Sequence, residues 1–179
     1  EVIATFDAPD ALEACRLACA AQWPTEVRVI EGRPWLEVWR SFFKPVHIGD
    51  ALTIIAPWQT APAGRKTIVI DPGLAFGTGQ HVTTRLLAAR IVADAPMPER
   101  VLDVGAGSGV LAFAALHFGA KAATLVEVEA DARRAAWENA ERNGMTLVDV
   151  LADLDAVDGQ FPAVFANIQL EVLRRLAPA

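Results

Sequence analysis

Three glycines at alternate positions, Gly105, Gly107 and Gly109, stand in "VLDVGAGSGVLAFAA" between an apolar run and an alanine-rich run. Glycine at such a turn removes the side chain that would hold a ligand away from the backbone. The N–H groups opening the following helix are expected to face that ligand. Asp103, on the strand just before the turn, can organise the loop or face a cationic group. Glu127 ends the next strand, where a carboxylate can accept both hydroxyls of a ribose; Glu129 is the alternative, two residues further on. Asn167, in "FANIQ" at the end of a later strand, carries a donor and an acceptor and can position an amine nucleophile.

Two cofactors suit these residues. A nicotinamide dinucleotide prefers G-x-G-x-x-G, because its pyrophosphate rests on a helix N-terminus. S-adenosylmethionine has no phosphate; its carboxylate, amine, sulfonium and adenosine suit the tight acidic turn "DVGAGSG" better. No G-x-x-x-x-G-K-[ST] pattern occurs, which argues against a P-loop. A second glycine-rich stretch, "DPGLAFGTGQH" over residues 71–81, lacks the Lys-Ser/Thr sequel of a phosphate cradle. It reads as a loop closing over a ligand, or as a plain turn. His47, His81 and His117 have no ligand spacing, so no metal is expected.

The elements that must hold these residues follow from periodicity and punctuation. Residues 2–6 and 27–30 read as strands flanking a helix over 11–22, opened by the capping-box pair Asp10 and Glu13. Residues 34–43, "PWLEVWRSFF", put apolar side chains on one helical face. β-Branched runs at 52–56 and 67–70 read as strands. From there the pattern alternates. A helix capped by Thr83 or Thr84 runs to residue 93, a strand spans 101–104, and a helix led by Ser108 runs to 118. A strand at 123–128, a helix at 130–142 and strands at 147–151 and 163–168 follow. Strands alternating with helices of this length imply βαβ units and a parallel sheet, so the class is α/β. A domain boundary falls near Gly64.

The 179 residues carry a net charge of −6 and are 53% hydrophobic. That composition supports a packed core and argues against direct nucleic-acid binding, which relies on clustered Lys and Arg. No apolar run reaches the roughly 20 residues of a membrane span. Cys15 and Cys19 read as small core-side residues in a reducing compartment, and the expected location is cytoplasmic.

With these motifs in hand, the chain resembles the class I S-adenosylmethionine-dependent methyltransferases. More narrowly, it is similar to the bacterial family that methylates the eleventh large-subunit ribosomal protein. The matching stretches include "WLEVWRSFFKP", "DPGLAFGTGQHVTTRL", "VLDVGAGSGVLAFAALHFGA", "ENAERNG", "FANI" and "LRRLAPA", collinear from Trp35 on. The resemblance implies methyl transfer to lysine and α-amine nitrogens of a ribosomal protein substrate. It places Thr84, Asp103, Gly105, Gly107, Glu127 and Asn167 around the cofactor, and Gly77, Thr78, Gly79 and His81 in a loop over its methionine end. Asn167 also holds the amine in that reading. Glu127 stands where the family has Asp. The resemblance implies a Rossmann-like sheet of partial order 3-2-1-4 in residues 64–179. Residues 34–63 are then a linker and 1–33 the remnant of a substrate-recognition domain, the chain being truncated at both ends. Alternatives are a non-catalytic cofactor-binding fragment, or a methyltransferase of the same fold acting on another protein.

Overall fold

The computed structural model describes residues 9–20, 22–27, 43–72, 77–146 and 148–176. The chain divides into two compact units, Glu1–Phe42 and Phe43–Ala179. In the first, helix α1 spans Pro9–Ala20. It starts earlier than the capping box implies, so Asp10 lies in its first turn rather than at its N-cap. Proline suits that first position because its missing N–H would find no partner there anyway. The Cys15 and Cys19 thiols lie 4.0 Å apart on this helix. The expected strand at 2–6 and helix at 34–43 lie outside the described residues, apart from Phe43. Of the expected strand at 27–30, only Val27 is described, and it is in no strand.

The second unit holds two sheets. Strands β1 (Val46–Ile48) and β2 (Leu52–Ile55) form an antiparallel hairpin, with Val46 opposite Ile54. Arg65 clamps its turn by donating to the Gly49 carbonyl at 3.0 Å and to Asp50 Oδ1 at 2.7 Å. Strand β3 (Lys66–Val69) pairs parallel to β2, Ile55 opposite Val69. Helix α2 (Val82–Ala93) then leads to β4 (Arg100–Val104), α3 (Val110–His117), β5 (Ala122–Val126) and α4 (Ala130–Arg142). Strand β6 (Val148–Leu151), a short 3₁₀ turn at Leu154–Ala156, β7 (Ala163–Ala166) and α5 (Leu170–Leu176) complete the series.

The second sheet is wholly parallel, in the order β6-β5-β4-β7, which is the 3-2-1-4 order implied by the resemblance. Along β4 the pleat sends Val101 into one apolar cluster, with Phe113, Leu125 and Ile91. Leu102 and Val104 go into a second cluster on the other face, packed by Phe161 and Ile168. That period of two is what a strand covered on both faces requires. Helix α3 is buried from Val110 to Ala115, and its alanines allow close approach to the sheet. Helix α4 is amphipathic and buries Ala132, Ala136, Asn139 and Ala140.

Asn139 of α4 and Asn143, which caps its C-terminus, tie the helix to β3 and the segment just after it. Asn143 Oδ1 accepts from the Val69 N–H at 2.8 Å, and its Nδ2 donates to the Val69 carbonyl at 2.7 Å. The side-chain amide thus pairs with Val69 as a neighbouring strand residue would. Asn139 Oδ1 accepts from the Asp71 N–H at 3.0 Å. At the far side of the second sheet, β7 ends the strand order, with Val164 exposed.

Candidate functional site

The carboxyl ends of β4 and β7 meet in a narrow cleft. It is lined by Asp103, Gly105, Ala106 and Gly107, by Val110 and Leu111 of α3, and by Gly77, Thr84 and Asn167. Six expected site residues therefore come together: Gly77, Thr84, Asp103, Gly105, Gly107 and Asn167. Among the described residues, Thr78, Gly79, His81 and Glu127 lie outside that lining.

The turn after β4 is built by its glycines. Gly105 has φ +70, and a Cβ there would lie 2.2 Å from Ile168 Cγ2. The space that the sequence assigns to an approaching ligand is thus partly filled by the chain's own loop after β7. Gly109 has φ +85 and caps α3, with the Phe113 ring where its Cβ would be. The helix accordingly starts at Val110, not at Ser108 as the sequence suggests.

The amides of the turn have internal acceptors. Gly105 and Ala106 donate to the Val126 carbonyl at 2.8 and 3.1 Å, and Gly109 donates to the Ala106 carbonyl at 2.9 Å. Gly107 donates to Glu127 Oε2 at 2.9 Å, and Ala112, in the first turn of α3, donates to Asp103 Oδ2 at 3.2 Å. The four turn amides and that of Ala112 thus have acceptors within the chain, whereas the expectation concerns the helix-opening amides, of which those of Val110 and Leu111 belong to residues lining the cleft. A phosphate at the turn itself would meet the Glu127 carboxylate beside Gly107.

Glu127 is buried, one residue beyond the end of β5, and its Oε1 accepts from the Glu129 N–H at 3.1 Å. The acid therefore braces the turn while remaining next to the cleft through Gly107. Asp103 is 2% exposed. Burial raises its carboxyl from the ordinary 3.8 to about 7; the Ala112 N–H opposes the rise and the Glu127 charge adds to it. Because the folded pKa lies above the unfolded one, the folded state holds a proton that the unfolded chain has lost between about pH 4 and 7. Stability falls as pH rises through that window and levels off above it. Asp103→Asn is expected to remove this slope. Denaturant midpoints of both proteins from pH 4 to 8 check it, and an unchanged difference across the window contradicts it.

Asn167 lies just past β7, and its Nδ2 donates to the buried Thr84 hydroxyl at 3.1 Å. That bond leaves the amide oxygen as the acceptor for another donor. His81, not Thr83 or Thr84, is the N-cap of α2: its ring Nδ1 accepts from the Thr83 N–H at 3.4 Å. Thr84 sits one turn in and points at Asn167 instead. Gly79 packs on β2, since a Cβ there would lie 2.6 Å from Ile54 Cδ1. Ser108 and Asn139, fully buried beside the turn, went unread in the sequence as site residues. Their bonds to Gly77, to Asp71 and to each other span 31 to 68 residues, so no local spacing announces them. Among the described residues no group of three or more His, Cys, Asp or Glu could hold a metal ion.

A parallel sheet in this order, with an acid-braced glycine turn at the end of its central strand, defines a Rossmann-like methyltransferase domain. Comparison with known proteins narrows the class. The family model described as "Ribosomal protein L11 methyltransferase (PrmA)" matches residues 4–179. The chain belongs to this family. A relative from Symbiobacterium thermophilum, named ribosomal protein L11 methyltransferase, is 40% identical over 165 residues, 90% of this chain and 54% of its own length. One of the same name from Sorangium cellulosum is 37% identical over 187 residues, 99% of this chain and 59% of its own. The crystal structure of a ribosomal protein L11 methylase from Lactobacillus delbrueckii subsp. bulgaricus superposes with a TM-score of 0.69 at 36% identity. That match covers 75% of this chain and 71% of that one. The chain spans about half the length of the curated relatives it matches.

Proposed function

We propose that the cleft binds S-adenosylmethionine and that the protein methylates lysine and α-amine nitrogens of a ribosomal protein in the cytoplasm. The observation that carries the cofactor reading is the bonding of the glycine turn. Its amides donate to Glu127 and to the Val126 and Ala106 carbonyls, and the buried Asp103 stands just before it; this acid-flanked turn disfavours a pyrophosphate and favours a ligand with a cationic centre. No Lys or Arg is among the lining residues. Family membership supports the transfer to a ribosomal protein.

When bound, the cofactor supplies an electrophilic sulfonium methyl group. The residues of this chain have the tasks of alignment and desolvation, which dominate for attack by a neutral amine. Glu127, beside Gly107, can accept ribose hydroxyls on the lone pairs its two backbone partners leave open. Thr84 holds the Asn167 amide so that its oxygen can accept a hydrogen bond from the substrate amine. Gly77, Thr78, Gly79 and His81 belong, in this reading, to the segment over the methionine end. The amine proton passes to solvent. We assign residues 64–179 to cofactor binding, 34–63 to a linker and 1–33 to part of a substrate-recognition domain.

Titration calorimetry with S-adenosylmethionine, S-adenosylhomocysteine and NADH tests this. Saturable binding of the first two and none of the third is expected. Binding of NADH alone, or of none by a folded chain, overturns the reading.

A further inference from the structure

The Gly77 wall of the cleft is anchored by side chains outside the lining. Ser108 is wholly buried, and its Oγ donates to the Gly77 carbonyl at 2.6 Å. The carbonyl of Ser108 itself accepts from Asn139 Nδ2 at 3.3 Å. Asn139, also wholly buried, uses its Oδ1 to accept from the Asp71 N–H at 3.0 Å and from Arg142 Nη1 at 3.2 Å. Two points of the glycine-rich stretch, Asp71 and Gly77, are thus tied to one buried Ser–Asn pair, which joins the residue before the N-cap of α3 to α4.

The geometry is specific. Gly77 has φ +104, and a Cβ there would stand 2.9 Å from Ser108 Oγ. The hydroxyl can approach the carbonyl closely only because residue 77 has no side chain. The Ser108 hydroxyl end of this bond is buried and the Gly77 end half-buried, and leaving a buried polar group unpaired is costly.

We propose that Ser108, seated by Asn139, is a positioning residue that fixes Gly77 against the glycine turn and so sets affinity for the cofactor. The affinity part rests on the reading of the cleft given above; the fixing of Gly77 does not. Asn143 supplies the control. It bonds Val69 and the Asn139 carbonyl, with no bond to Gly77 or Ser108.

Wild type, S108A and N143A are compared by melting temperature, backbone ¹⁵N order parameters and S-adenosylmethionine titration. In S108A the Gly77 amide is expected to fall from a rigid value of about 0.85 to below about 0.6, with Gly107 unchanged. Cofactor affinity is expected to weaken about tenfold, in line with one buried hydrogen bond. N143A is expected to melt lower than S108A, yet to bind the cofactor within about twofold of wild type. A Gly77 that stays rigid in S108A overturns the proposal, as does N143A weakening binding as much as S108A. If wild type binds no cofactor while Gly77 loosens in S108A, the positioning of Gly77 stands and the cofactor assignment alone fails.

Discussion

Gly105→Ala is expected to destabilise the protein by about 2–4 kcal/mol and to abolish detectable S-adenosylmethionine binding. Two independent costs add. The backbone at φ +70 disfavours any L side chain, by about 1–2 kcal/mol. The new methyl would also lie 2.2 Å from Ile168 Cγ2, a β-branch that yields only by a χ1 rotation or by movement of the loop after β7. That loop carries Asn167, so relief by loop movement displaces the residue assigned to the amine. The two costs separate experimentally. Ile168→Ala in the Gly105→Ala background should recover the steric part and leave the backbone part. Urea midpoints of the two single variants and the double variant measure both. A Gly105→Ala protein as stable as wild type would show that neither contact nor conformation matters there.

The second large effect is expected at Glu127. Glu127→Ala removes the acceptor of the Gly107 and Glu129 amides, which lie 2.9 and 3.1 Å from its two oxygens. Hydrogen bonds to a charged acceptor contribute about 1.5–3 kcal/mol each, and of the two abandoned amides that of Gly107 is buried while that of Glu129 lies on an exposed residue. Cofactor affinity should drop by about 1.5–3 kcal/mol, the loss of the ribose contacts. Stability should fall as well, because the carboxylate braces the turn before any ligand arrives. Glu127→Gln, which keeps one carbonyl oxygen, should fall between. Calorimetric affinity and thermal midpoint are read together. A loss of stability with unchanged affinity would make Glu127 a brace alone and place the ribose elsewhere.

The parallel sheet is legible from local signals, because strands and helices of regular length alternate from β4 onward, while its 3-2-1-4 order comes from the family resemblance. The glycine turn and its two acids were legible for the same reason: all lie within one βαβ unit. What escaped is long-range or unorthodox. Asn139 and Asn143 read as a polar helix face and a helix stop, and only the fold brings them to Asp71 and Val69. Thr83 and Thr84 read as N-caps by residue type, yet the ring nitrogen of His81 performs that task and frees Thr84 to face Asn167. Strand β1 was missed because three residues between Pro45 and Gly49 show no periodicity of their own.

The pairing of Asn143 with Val69 has a consequence for self-association. An unpaired strand edge is a template on which a second chain can add. At Val69 both hydrogen-bonding groups are already satisfied by one carboxamide, so an incoming strand finds no donor or acceptor at that position. A single side chain, capping a helix more than seventy residues downstream, blocks this position of the first sheet's margin against intermolecular zippering.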